Sequence, residues 1–255
     1  MWNKAFKESA KALLSGFWLP SITAVSLSLA LTYAMSVLGQ TMLATTGIPT
    51  DSQVGVAVVL FAAMVGGFLS APVVYGFKRM LWLRLSGQEV TVSDVFYMFG
   101  KPGFMIRYLG MTVLRDIIII LPAAALAIPV GLFTYVTEQN PHLVSSYTLV
   151  PLISLGCVAL VVVGMVLTVM QAMRYALSDF TLMDDEDGGI KRALKRSTDV
   201  GGKNMGLLVK LYFSLIPQYL LSITGFGQLY STPFITATVA CAAKWLLNEE
   251  EAEQQ

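Results

Sequence analysis

Apolar residues run almost unbroken over six stretches of this chain, approximately 15 to 38, 54 to 75, 116 to 136, 149 to 172, 205 to 223 and 228 to 247. A helix needs about 20 apolar residues to cross a hydrocarbon core about 30 Å thick, so the pattern predicts six transmembrane helices. The fifth is the shortest. It carries Lys210 near its start and Pro217 in its middle, which requires that the lysine snorkel to the interface or that the segment be partly re-entrant.

Three further segments alternate at helical spacing between apolar and polar positions. "KAFKESAKALL" sets Lys4, Lys7 and Lys11 opposite Phe6, Ala10, Leu13 and Leu14. "IKRALKRSTDV" sets Lys191, Arg192, Lys195 and Arg196 against Ile190, Ala193, Leu194, Ser197 and Val200. "TVSDVFYMFG" opens with Thr91 and Asp94 at capping-box spacing and carries Val95, Phe96 and Phe99 as an apolar stripe. These predict amphipathic helices over about 3–14, 91–100 and 189–200, with apolar stripes in the acyl boundary and the lysines and arginines among anionic headgroups. The expected fold is an all-α, polytopic membrane helical bundle forming a single domain, with an acidic C-terminal tail at 248–255. Each pair of spans follows an interfacial helix, which suggests three repeats joined near "SGFW", "PGFM" and "KNMG". Any multi-span protein with basic inner connections would produce the same pattern, so the two readings stand side by side.

Composition agrees: 55% of the 255 residues are hydrophobic and 13% charged, against about 25% charged in soluble domains. Apolar runs recur to the end, unlike a secretory leader followed by a polar mature domain, so no segment is expected to be cleaved. The formal charge of +1 gives no general attraction to nucleic acid. The 17 basic residues nevertheless all fall on one side of a six-span topology: before the first span, between the second and third, around the fourth-to-fifth connection, and at Lys244. The opposite connections, near 39–53, 137–148 and 224–227, hold Asp51, Glu138 and His142 but no Lys or Arg. Cytoplasmic connections accumulate Lys and Arg, so both termini are expected to be cytoplasmic.

Candidate chemistry is sparse. The acids of "DDEDGG", Asp184 to Asp187, suit the dipole at the start of the following helix, and the sequence turns basic where a calcium loop needs its distal glutamate. Cys157 and Cys241 lie in apolar runs and are not expected to pair. His142 lies in an outer connection with Glu138 nearby; one His and one Glu make no zinc site, and His142 reads as an exposed loop residue. No nucleophile, metalloprotease or phosphate-loop motif occurs. No catalytic residue, metal or cofactor is therefore assigned, and an enzyme is not expected.

The polar residues of interest are Arg115 and Asp116, and, near the end of the fourth span, Gln171, Arg174, Ser178 and Asp179. Ionisable groups at membrane depth mark pathways or ligand sites by default. Three readings stay open: structural charges at the inner interface, pairing of Arg115 with Asp179 and of Asp116 with Arg174 across the bundle, or a solute or lipid-headgroup site. Arg115 and Asp116, as sequence neighbours on a helix, are not expected to face each other. Pro72, Pro122, Pro129, Pro151, Pro217 and Pro233 kink spans that either line a cavity or pack around their irregularities. "MVGGFLS" reads as a close-packing surface between spans.

From Arg174 to Leu246, "RYALSDFTLMDD", "ALKRS", "GGKNMGLLVKLYFSL" and "TGFGQLYSTPFITATVA" resemble the bacterial membrane family known as domain of unknown function 975. The matching positions are Tyr175, Asp184, Ala193 with Ser197, Gly202 with Lys203, Thr224 with Gly225, and Pro233 with Phe234. The family's usual tryptophan in the fifth span is absent, its Pro-Tyr pair is Pro-Phe here, and the Ser-to-Lys spacing is shorter. YesL-like membrane proteins, with a Gly-rich second span and an F-x-x-F helix, are a weaker likeness. The resemblance implies a bacterial plasma-membrane protein and supplies no activity or catalytic residue. The functional expectation is a non-enzymatic protein acting through membrane lipids or a membrane-protein partner, in envelope maintenance or protection against membrane-active peptides. The alternative is a small transporter or transport-complex subunit with a cavity between proline-kinked helices.

Overall fold

The computed structural model describes residues 2–139 and 149–254, and His142 and Pro141 lie outside the described residues. The fold is all-helical, with no strand among the described residues. The elements are α1 (Trp2–Leu14), α2 (Trp18–Thr46), α3 (Gln53–Leu85), a 3₁₀ helix (Val92–Gly100), α4 (Pro102–Gln139), α5 (Leu149–Arg174), α6 (Ser178–Asp184), α7 (Gly189–Lys203), α8 (Met205–Ser214), α9 (Ile216–Ser222) and α10 (Phe226–Gln254).

Among the described residues, four stretches are long and apolar enough to cross a membrane: Trp18–Thr46, Gln53–Leu85, Pro102–Gln139 and Ile153–Asp184. A fifth is added if α8 and α9, which meet at 49°, are one bent span. The bend has a local cause, because Pro217 in the first turn of α9 has no N–H to continue the ladder. α10 is long, but Gln228, Ser231, Thr232, Thr236, Thr238 and Lys244 dilute its apolar run. Its interior position accounts for this composition, since Phe234, Ala237, Ala240, Ala242, Ala243, Leu246 and Leu247 are buried in protein.

The core is concentrated at the ends of the helices that carry the cations. It joins α1, the last turns of α3, the 3₁₀ helix, the first turns of α4, α6, α7, α8 and the second half of α10. Away from it the α2–α3 and α4–α5 hairpins separate from each other: none of the most apolar window of α4 is buried, against 22% for that of α3. α3 and α4 therefore run well past the apolar stretches 54–75 and 116–136, and the additions (Phe77, Met80, Leu81 and Trp82; Phe104, Tyr108 and Met111) are core residues.

The amphipathic segments are helical, but their apolar stripes face protein rather than the acyl boundary. Phe6, Ala10, Leu13 and Leu14 of α1 are buried, and Trp2 and Phe6 pack on Trp245 of α10 with ring centroids 4.6 and 5.9 Å apart. Ala193, Leu194, Ser197 and Val200 of α7 are likewise buried. A packed core removes such stripes from water as effectively as lipid does, and periodicity alone does not distinguish the two. The segment at 91–100 is corrected more sharply. At three residues per turn, Val95 and Met98 point into the core while Phe96 and Phe99 form an exposed pair 6.0 Å apart. Its capping box is formed, with the Thr91 amide donating to the Asp94 carboxylate at 2.8 Å.

Gly76 and Gly66 show how closely neighbouring helices approach α3. A Cβ on Gly76 would lie 2.0 Å from the Val95 carbonyl oxygen, so the 3₁₀ helix rests directly on α3. A Cβ on Gly66 would meet the Thr32 backbone at 3.0 Å, which is the close packing of α3 on α2 that "MVGGFLS" implied, whereas Gly67 faces open space.

Candidate functional site

Asp179 is the only fully described carboxylate the fold buries almost completely, at 3% exposure, and its position follows from a break in the helix. α5 ends at Arg174 and α6 begins at Ser178, with the intervening turn held by i to i−3 bonds such as Ser178 N to the Tyr175 carbonyl, 3.1 Å. The carbonyl freed at Arg174 accepts a hydrogen bond from the Ser197 hydroxyl of α7 at 3.0 Å. Gly201 allows that approach, since a Cβ there would lie 2.8 Å from the same oxygen. Thr181 completes the junction by donating to the Ala193 carbonyl at 2.9 Å. Ala193, Ser197 and Gly201, each four residues apart, thus make a small-residue face against the break.

Two cations from two different helices meet on Asp179. Lys78 of α3 donates to its Oδ2, and Arg115 of α4 to its Oδ1 at 3.1 Å. Arg115 also approaches Ser178 Oγ at 3.4 Å and donates through Nε to Asp116 Oδ1 at 3.0 Å. The four charges, two positive and two negative, cancel within the cluster. Such pairing is what buried ions require to offset desolvation, and it ties α3, α4 and α6 at one point.

The pairing of Arg115 with Asp179 is thus present, and that of Asp116 with Arg174 is not. Arg174 has an exposed side chain, and Gln171 is only partly buried on α5. Arg115 and Asp116 do meet, contrary to the helical-neighbour argument. That rule concerns where Cβ atoms point, and the long guanidinium swings back along the helix to reach the adjacent carboxylate. Lys78 was not singled out in the sequence. Its signal was the continuation of the apolar pattern in "VVYGFKRMLWLRL" past residue 75, which places this lysine inside a packed helix rather than in a connection.

A second cluster lies beside the first. Glu186 accepts from the Tyr97 hydroxyl at 2.6 Å and pairs with Arg79 at 3.4 Å and Lys101 at 3.7 Å, while the Arg79 guanidinium sits 3.6 Å from the Tyr97 ring centroid. The hydrogen bond between Lys101 and Tyr97, opposed by slight desolvation, raises the Lys101 ammonium above the usual lysine pKa. Elsewhere Arg196 joins Asp184 at 2.8 Å, Glu250 at 2.7 Å and Glu251 at 3.0 Å. Burial opposes the charge on Arg196, but hydrogen bonds to those three carboxylates outweigh it and hold its pKa above that of free arginine.

The acidic run accordingly does not start a helix. α7 begins at Gly189, the second of the two glycines, and Asp184, Asp185 and Glu186 pair with Arg196, Arg192 and Arg79 respectively, with Asp185 also accepting from the Gly188 amide at 2.8 Å. Of the basic residues assigned to headgroups, Lys4, Lys11, Lys191 and Lys195 are exposed. Lys7 instead donates to the Ser214 carbonyl, left open at the α8–α9 bend, Arg196 is occupied within the protein, and Arg192 is exposed but paired with Asp185. Cys157 and Cys241 are free thiols, and among the described residues no group of three His, Cys, Asp or Glu side chains is placed to hold a metal ion.

Beyond the charged clusters the separating helices leave apolar clefts. One, about 570 Å³, lies between α3 and α4; another, about 650 Å³, lies between α2 and the start of α10. Compared with known protein families, with curated proteins and with solved structures, the chain matches none.

Proposed function

We propose that this is a non-enzymatic multi-pass protein of the bacterial plasma membrane that acts by binding lipids or a second membrane protein laterally, within the bilayer. The observation that carries the reading is the contrast along the long helices. Their charged ends are locked into a packed core, while α4 and α5, packed mainly on each other, leave most of their apolar flanks exposed. Large apolar surface left outside a core marks an interaction surface, and in a bilayer its partners are acyl chains or other spans. In this reading α8–α9 is a bent fifth crossing, α10 a shielded sixth, and the core with both termini lies in the cytoplasm. The element order supports three units of short helices followed by a hairpin: α1 with α2 and α3, the 3₁₀ helix with α4 and α5, and α6 and α7 with α8 to α10.

A polar-solute transporter is less well supported. Both clefts described above have mainly apolar walls, and the charges beside the α3–α4 cleft neutralise one another. The test is native mass spectrometry of the protein released from native-lipid particles. A reproducible lipid class or protein subunit that stays bound supports the reading; a bare chain carrying lipids only in bulk proportion overturns it.

A further inference from the structure

The cleft between α3 and α4 has a polarity along its length that its volume alone does not convey. Its walls include Met64, Phe68 and Ala71 of α3 and Ile117, Ile120 and Leu121 of α4. Among the described residues lining it, one is ionisable: Asp116, at the end nearer the charged core, with its side chain 52% exposed. On α4 the lining runs from Thr112 to Ala124, a rise of about 18 Å, against about 15 Å for the hydrocarbon of one leaflet. The carboxylate thus sits about one turn inside the core end of the cleft, and from it apolar walls continue along α4 for about 12 Å. One phospholipid of the inner leaflet has these dimensions.

Charge decides which headgroup fits. Basic residues at a cytoplasmic face ordinarily favour anionic lipids. Here Lys78 and Arg115 are both held by Asp179, Arg115 also takes Asp116 Oδ1 at 3.0 Å, and the half-exposed Asp116 offers its remaining oxygen to the cleft, an acceptor with no spare positive charge beside it. An anionic headgroup would meet that carboxylate without a free cation beside it; an ammonium would pair with it. We propose that the α3–α4 cleft binds a single inner-leaflet phospholipid whose headgroup carries an ammonium, with Asp116 as the counter-ion and an acyl chain along Phe68, Ile117 and Leu121. This rests on the lipid-binding reading above and specifies its site and ligand chemistry.

The experiment uses the full chain in nanodiscs containing equal amounts of phosphatidylethanolamine, phosphatidylglycerol and cardiolipin, with retained lipids identified by native mass spectrometry. Wild type should retain one phosphatidylethanolamine in preference to the other two. Asp116→Asn should lower that preference about fivefold, the worth of one partly exposed ion pair, and Asp116→Glu should keep it. Gly67→Leu fills the apolar part from a position where a side chain meets open space, so it should lose the lipid while keeping wild-type thermal stability. Preferential retention of phosphatidylglycerol or cardiolipin, or a wild-type preference in Asp116→Asn or Gly67→Leu, would overturn the assignment and leave the lipid-binding reading standing. Wild type that retains every class only in bulk proportion would overturn both.

Discussion

Replacing Asp179 by asparagine tests whether the charge cluster holds the hairpins together. The change keeps the shape and some hydrogen bonding but leaves Lys78 and Arg115 facing each other with no shared anion. Removing one partner of a buried pair costs about 3–5 kcal/mol. The cations here retain 25% and 19% side-chain exposure, and Arg115 keeps Asp116, so water and the remaining carboxylate offset part of that. We expect a loss of about 2–3 kcal/mol, the low end of the range discounted for solvent screening. Unfolding by SDS titration in mixed micelles, followed by tryptophan fluorescence, reads the difference directly, because Trp82 packs on Phe180 with centroids 5.6 Å apart. A triple variant, Lys78→Met with Arg115→Met and Asp179→Leu, should recover most of the loss, since an apolar replacement of all three leaves only the half-exposed Asp116 without its partner. An Asp179→Asn protein within about 0.5 kcal/mol of wild type, the range of an ordinary surface change, would refute the reasoning.

Other substitutions probe the junctions around this cluster. Gly76→Ala should abolish stable folding in a thermal-shift assay, because the added methyl would occupy the space of the Val95 carbonyl, whereas Gly67→Ala should be neutral or stabilising by up to about 1 kcal/mol. Ser197→Ala should cost about 1 kcal/mol in the same SDS titration, the usual worth of one hydrogen bond, by stranding the Arg174 carbonyl. Arg196→Ala should free the end of α10, seen as faster amide exchange over residues 248–254, while exchange in α3 stays as in wild type.

The helical class was legible because apolar runs of this length have few other solutions, and the ends of α1, the 3₁₀ helix and α7 fall close to their predicted positions. What the stripes on α1 and α7 touch was not legible. Ala193, Leu194 and Val200 have the same spacing whether they meet acyl chains or α6, and only tertiary structure decides. The 3₁₀ helix was misread for a related reason: at 3.6 residues per turn Val95, Phe96 and Phe99 share a face, and at three they do not. The extension of α3 to Leu85 was hidden by ending the span at its first cation, though Phe77, Met80 and Leu81 continue its period. At the candidate site, one of the pairings considered for Arg115, that with Asp179, was found. Lys78 was missed because its charge had been assigned to the inner connection as a whole. Nothing in the spacing of Asp184, Asp185 and Glu186 indicates that each reaches a cation on another helix or turn.

The central claim is that the charged, packed end of the molecule is cytoplasmic and that the hairpins extend from it across the membrane. Single cysteines placed at Ser9, Thr50, Ser93 and Thr224, all exposed, in a background lacking Cys157 and Cys241, test it with a membrane-impermeant thiol reagent applied to intact cells. The account predicts labelling at positions 50 and 224 from outside, and at 9 and 93 only after permeabilisation. Labelling of position 9 or 93 in intact cells would contradict it.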